Sequence, residues 1–251
     1  MSSKSNVVNS TRVPTPSLRS LIFNLASLII CSRGLYKCSQ IILPAGLKDA
    51  GHKQFLTNIS VVATLISNVF NISNWAVQRF NCSKQSEDKS CCNASSLHYV
   101  SRHLILPIAL ILETIVPLVY WPLRLFAQNL IMQDIPKDAP NPLSISTDIS
   151  IHLFPFIFLF SDHYLSGSGS KFDISNTRAW CLVATLGIAY FQYLAILIDP
   201  TKGQIYPYPF LNVEEPFKSV IFVVVSTAAW FFYVIYQKFP PHTHEKKSKT
   251  N

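Results

Sequence analysis

Two residues far apart in the sequence, Thr57 and His152, have the side chains that hydrolytic chemistry uses. A threonine hydroxyl is a weak nucleophile until a base takes its proton, and an imidazole is the usual base. Thr57 stands at the head of an apolar run. There, the free N–H groups of a helix start could bind a developing oxyanion, or the threonine could simply cap the helix. His152 lies inside Thr147–Tyr164, TDISIHLFPFIFLFSDHY, which is apolar enough to enter a bilayer. An ionisable side chain in such a segment faces a bundle interior or a wet cavity, or serves helix packing. Asp148 precedes His152 by four residues, so it either orients the imidazole as a third member or caps the helix. Glu113 sits in the middle of another apolar run. A carboxylate at that depth anchors packing, lines a pocket or marks a transport path.

Six elements must position these groups. The chain has 251 residues, 49% hydrophobic and only 14% charged, and its apolar residues fall in long blocks. A span needs about 20 mostly apolar residues. The spans expected are Leu18–Leu43, Phe55–Trp75, Val100–Leu125, Asp148–Leu165 with a kink at Pro155, Ala179–Ile198 and Phe217–Phe239. The fold class is therefore all-α: a polytopic six-transmembrane-helix bundle over residues 17–240, between a polar tail (1–16) and a basic tail (241–251). Asn58, Asn68, Asn71 and Asn74 recur at helical spacing and predict a polar stripe facing other helices. Pro107 and Pro117 predict kinks. Asn81–Ser96 and the Pro-rich 134–142 read as loops, and Tyr206–Phe210, YPYPF, reads as an extended interfacial stretch.

The net charge of +8 comes from residues that flank apolar blocks, with no basic face interleaved with aromatics, which excludes nucleic acid as a partner. The six cysteines show no zinc spacing, and no metal or cofactor is expected. The N-terminal tail, the second and fourth loops and the C-terminal tail hold 13 Lys/Arg against 8 in the other loops, which predicts both termini cytosolic. Lys247 and Lys249 have the spacing of a dilysine retrieval signal, read by coat proteins at the endoplasmic reticulum membrane, or belong to a merely solvated tail. The sequons at Asn81 and Asn93 then face the cytosol and stay unglycosylated. His52, His98, His103 and His163 lie near segment ends and read as interfacial.

In an up-and-down bundle, helices two, four and six start on the same side. Thr57, His152 (about one turn into helix four) and the Tyr206–Leu211 stretch can then meet in one layer, the lumenal one by the charge count.

Three local matches carry a resemblance: Phe55-Leu56-Thr57 before an apolar run, Asp148-Ile149-Ser150-Ile151-His152 followed by Phe154-Pro155-Phe156, and Tyr208-Pro209-Phe210-Leu211. In that order and spacing the chain resembles the androgen-induced gene / ADTRP family of six-helix membrane threonine hydrolases, which cleave fatty acid esters of hydroxy fatty acids. The resemblance implies an intramembrane lipid esterase fed from the bilayer, with Thr57 as nucleophile, His152 as base, and Asp148, Glu113 and Tyr208 as supporting residues. The chain departs from the family pattern at Ile149, where the family has the first histidine of a pair, at Asp148, where it has Asn, and at Lys53-Gln54, where it has Trp-Lys. A non-enzymatic lipid-binding scaffold or transporter, or an inactive member, is the alternative.

Overall fold

The computed structural model describes residues 17–83, 96–131 and 143–241. The two tails, Asn93, and Lys247 and Lys249 lie outside the described residues. The long elements are α1 (Leu18–Ser39), α2 (Ala45–Lys48), α3 (Leu56–Ser83), α4 (Ser96–Phe126), α5 (Ile145–His152), α6 (Phe154–Tyr164), α7 (Asn176–Leu197) and α8 (Phe217–Lys238). Among the described residues there is no strand. The all-α expectation holds. Serines mark several starts: Ser17, Ser144 and Ser175 each accept a hydrogen bond from a backbone N–H in the first turn of α1, α5 and α7.

Among the described residues five helices are long and apolar enough to cross a membrane, and α5 with α6 forms a bent pair at 42°. Contacts at its two ends make that pair a sixth span. At one end Asp148 of α5 meets Arg124 near the C-terminus of α4; at the other, Asp162 of α6 meets Arg102 near the N-terminus of α4. Those arginines lie about 33 Å apart at 1.5 Å per residue, the thickness of a hydrocarbon core. The bend falls at Leu153, two residues before the expected Pro155. Proline cannot donate to the preceding turn and disfavours helical backbone in the residue before it, so the distortion is absorbed upstream.

Three boundaries and the place of one histidine differ from expectation. Helix four starts at Ile145 behind its Ser144 cap, so Asp148 is not a cap and His152 lies two turns in, as the last residue of α5. α3 runs on to Ser83, which places Asn81 in a helical turn and outside the expected loop. α4 begins at Ser96 and widens to a π-turn over Val100–Ile105, just before Pro107. His163 is buried at the end of α6 and stacks on Phe172 at 4.5 Å, where an interfacial place was expected.

The asparagine stripe of α3 does what its spacing predicts. Asn68 donates to Ser27 at 2.8 Å, Asn71 donates to Asn24 at 3.1 Å and accepts from Ser101, and Asn74 meets His98 at 3.3 Å. With almost no hydrophobic driving force between helices in lipid, such bonds hold α3 to α1 and α4. Glu113 is fully buried and accepts from Thr64 of α3 at 3.0 Å, so it belongs to the same set of interhelical bonds. α1 closes on α5 through Gly34, where an added Cβ would stand 2.7 Å from Ser150 Cβ and 2.9 Å from Ile151 Cγ2. Gly34→Ala is expected to push α1 away and cost roughly 1–3 kcal/mol, read as a lowered melting temperature in detergent.

Candidate active site

The segments before α3 and before α8 meet at Thr57 and Tyr208, while His152 ends α5 beside Tyr120. Thr57 is the second residue of α3, inside the cap position, and is 8% exposed. Its hydroxyl is in hydrogen-bond contact with the phenol of Tyr208, which also accepts from the Leu56 N–H at 3.1 Å. Tyr208 comes from the aromatic stretch before α8. It stands edge-on to Phe55 at 5.9 Å and stacks on Phe210 at 5.2 Å. Burial pushes the Tyr208 phenol above its ordinary value, against the opposing effect of its bonds to Thr57 and Leu56. Burial thus favours the protonated phenol beside the Thr57 oxygen.

On the neighbouring side of the same layer, His152 is held through one ring nitrogen. Nδ1 lies 2.9 Å from Asp148 Oδ1 and 3.1 Å from the Asp148 carbonyl. Asp148 is fully buried and is itself clamped from α4. The Tyr120 hydroxyl donates to Oδ1 at 2.5 Å, and Arg124 Nε forms an ion pair with Oδ2 at 2.7 Å. The Tyr120 ring lies flat on the imidazole, 3.5 Å between centroids and 4° between planes. Carboxylate, arginine and ring together fix the His152 orientation and leave Nε2 as the nitrogen not engaged by Asp148.

Thr57 and Tyr120 share one cavity of about 150 Å³. Its polar end is formed by Thr57, Tyr120, Tyr190 and Tyr208, and its walls are aliphatic and aromatic side chains of α4, α7 and α8, among them Ile111, Val116, Leu186 and Phe222. Thr57 and His152 share no hydrogen bond among the described residues. Cys38 is 3.7 Å from Asn58 and in electrostatic range of Asp148, Tyr120 and Tyr208. Of the five residues singled out from sequence, Thr57, Tyr208, Asp148 and His152 thus share one layer. Glu113 lies deeper, on the α3–α4 contact. Among the described residues no three His, Cys, Asp or Glu side chains are grouped to hold a metal ion.

Sequence reasoning missed Tyr120 and Arg124. They stand four apart on α4, hence on one face, and a tyrosine–arginine pair of that spacing at the end of an apolar helix was the available signal.

The family model described as FAR-17a/AIG1-like protein matches residues 19–240. The chain is 50% identical over 235 residues to the UPF0641 membrane protein YHR140W of Saccharomyces cerevisiae, covering 93% of this chain and 95% of that one. It is 27% identical over 192 residues to the UPF0641 membrane protein PJ4664.05 of Schizosaccharomyces pombe, 76% of each chain. No solved structure matches. A match from the first turn of α1 to the end of α8, on a bundle whose motif residues meet in one layer, places the chain in the FAR-17a/AIG1-like family of membrane proteins.

Proposed function

We propose that the protein is an intramembrane lipid esterase that hydrolyses fatty acid esters of hydroxy fatty acids. The observation that carries this reading is the position of Thr57. Its side chain lines a chamber whose walls are mostly apolar, and the chamber is bounded by the same Tyr120 that stacks on His152. Buried acyl tails gain about 0.8 kcal/mol per methylene, so a chamber lined by aliphatic side chains suits a long-chain acyl group.

The steps balance as follows. Thr57 Oγ1 attacks the ester carbonyl while His152 Nε2 takes its proton. Tyr208 donates to the oxyanion that forms. The C–O bond to the hydroxy acid breaks, and the imidazolium returns the proton to the departing alkoxide. Water, deprotonated by the same nitrogen, then attacks the acyl-threonine, which releases the fatty acid and restores the Thr57 hydroxyl. By the charge count this layer is lumenal and both termini are cytosolic, in the endoplasmic reticulum membrane.

The test is turnover of a branched fatty acid ester by the purified protein in detergent. Wild type is expected to hydrolyse it, and His152→Ala to lose about a thousandfold. Turnover unchanged in His152→Ala overturns the assignment. Asp148→Asn keeps the shape but gives up the carboxylate on Nδ1. It is expected to lower kcat by at least about tenfold with little change in KM.

A transporter or scaffold was favoured in the sequence by Glu113 and the asparagine stripe. Asn68, Asn71 and Asn74 of that stripe bond neighbouring helices, and Glu113 accepts from Thr64 through Oε1, so these groups act as interhelical contacts.

A further inference from the structure

The chamber has a roof. Over the Thr57 end lie the segments before α3 and before α8, tied together by the Ile205 N–H donating to the Gly46 carbonyl at 3.1 Å and Gln204 donating to Asp49 at 3.0 Å. On the same side Tyr208, in contact with Thr57, is edge-on to Phe55 and stacked on Phe210, an aromatic cluster beside the nucleophile. A lipid does not come to Thr57 through this aromatic cluster without dismantling it.

The side of the bundle is different. Over their apolar 18-residue stretches α7 and α8 are only 17% buried, against 44% and 50% for α3 and α4, so they form the hairpin most open to lipid. Between them runs a second hollow of about 290 Å³, lined on its outer face by Trp180, Ala184, Ile188, Val223 and Thr227. Trp180, Ile188 and Val223 are 49%, 63% and 64% exposed. Three residues line both this groove and the chamber: Gly187, Phe222 and Ser226. The partition is thin at that point. Gly187 contributes no side chain, and a Cβ there would collide with Ser226 Oγ. The Phe222 ring touches Tyr190 on the chamber side (6.0 Å) and Phe191 on the groove side (5.0 Å, edge-on).

From this geometry we propose that the α7–α8 groove is the lateral passage through which the acyl tail of a membrane lipid enters the chamber, with Phe222 and Ser226 swinging aside against Gly187. The occupant is hydrocarbon because both hollows are apolar and lie within the spans, where lipid tails are the surrounding medium. With no side chain on Gly187 to displace, the opening needs only rotations of the Ser226 and Phe222 side chains. The choice of an ester as the travelling lipid rests on the esterase reading; the passage itself does not.

The experiment uses the full chain in phospholipid nanodiscs with a diazirine-bearing long-chain fatty acyl ester, adducts being mapped by peptide mass spectrometry. Ala184→Phe and Thr227→Phe fill the groove from its two walls without touching the chamber. Labelling of the α4 chamber wall, Ile108–Val116, is expected to be saturable by excess plain ester and to fall at least tenfold in both variants. Labelling of Ile196, 83% exposed on the outer face of α7, should stay constant and not saturate. Ser226→Gly, which thins the partition, should label the chamber faster, and this arm decides should a bulky variant fail to fold. Undiminished chamber labelling in a folded Ala184→Phe or Thr227→Phe protein, or no acceleration with Ser226→Gly, overturns the passage. A wild type that labels as expected but hydrolyses nothing leaves the passage standing and removes the esterase reading instead.

Discussion

Thr57→Val is expected to abolish ester turnover, with kcat/KM at least about a thousandfold below wild type. Valine has the shape of threonine without the hydroxyl, so the packing around the start of α3 persists. The loss to stability is one hydrogen bond to Tyr208, about 1 kcal/mol, which leaves the protein folded. Thr57→Ser restores a nucleophilic oxygen and is expected to recover part of the rate. The pair of variants separates chemistry from architecture: a merely capping or packing Thr57 would give Val and Ser proteins of equal activity. The measurement is steady-state hydrolysis of a branched fatty acid ester, with melting temperatures taken alongside.

The second large effect is on stability and concerns the opposite membrane border. There Arg102 and Asp162 form an ion pair of 2.5 Å in which both side chains are at most 3% exposed. Asp162 also accepts from Ser20 at 2.5 Å and from Asn71 at 3.5 Å, and Arg102 donates to Ser20 at 2.6 Å. Four helices thus meet on one carboxylate. Asp162→Asn keeps the volume but strands a buried guanidinium, which costs about 3–5 kcal/mol. The expected result is a melting temperature in detergent lower than that of Thr57→Val by many degrees. Replacing both partners with apolar residues, Arg102→Met with Asp162→Leu, should recover much of the loss, since no charge is then left unpaired. A single Asp162→Asn protein as stable as wild type would contradict this account of the border.

What the sequence made legible follows from which forces act locally. The hydropathy of six blocks reports transfer into lipid, a property of each segment alone, and it located every span to within a few residues at most ends. The asparagine stripe was legible for the same reason, as a helical period within α3. The start of helix four was not. Ser144 sits in a proline-rich context and Asp148 looked like the cap, so the helix was begun a turn late and His152 placed too near its beginning. The Arg102–Asp162 pair was hidden because each charge stands at the end of an apolar run, where a charged residue ordinarily marks the water boundary. Only the fold brings them together across 60 positions. The candidate site was legible unevenly. Spacing alone made Thr57 a plausible cap, and the resemblance singled it out. The clamp of Tyr120 and Arg124 on Asp148 depends on how α4 faces α5, which no single segment encodes.

The most direct measurement is covalent labelling by a fluorophosphonate, with the modified peptide sequenced by mass spectrometry. An activated Thr57 predicts one adduct on its hydroxyl in wild type and none in His152→Ala. An unlabelled Thr57 in a folded, membrane-embedded wild type, or equal labelling with and without the imidazole, would contradict the claim that these two side chains share a proton.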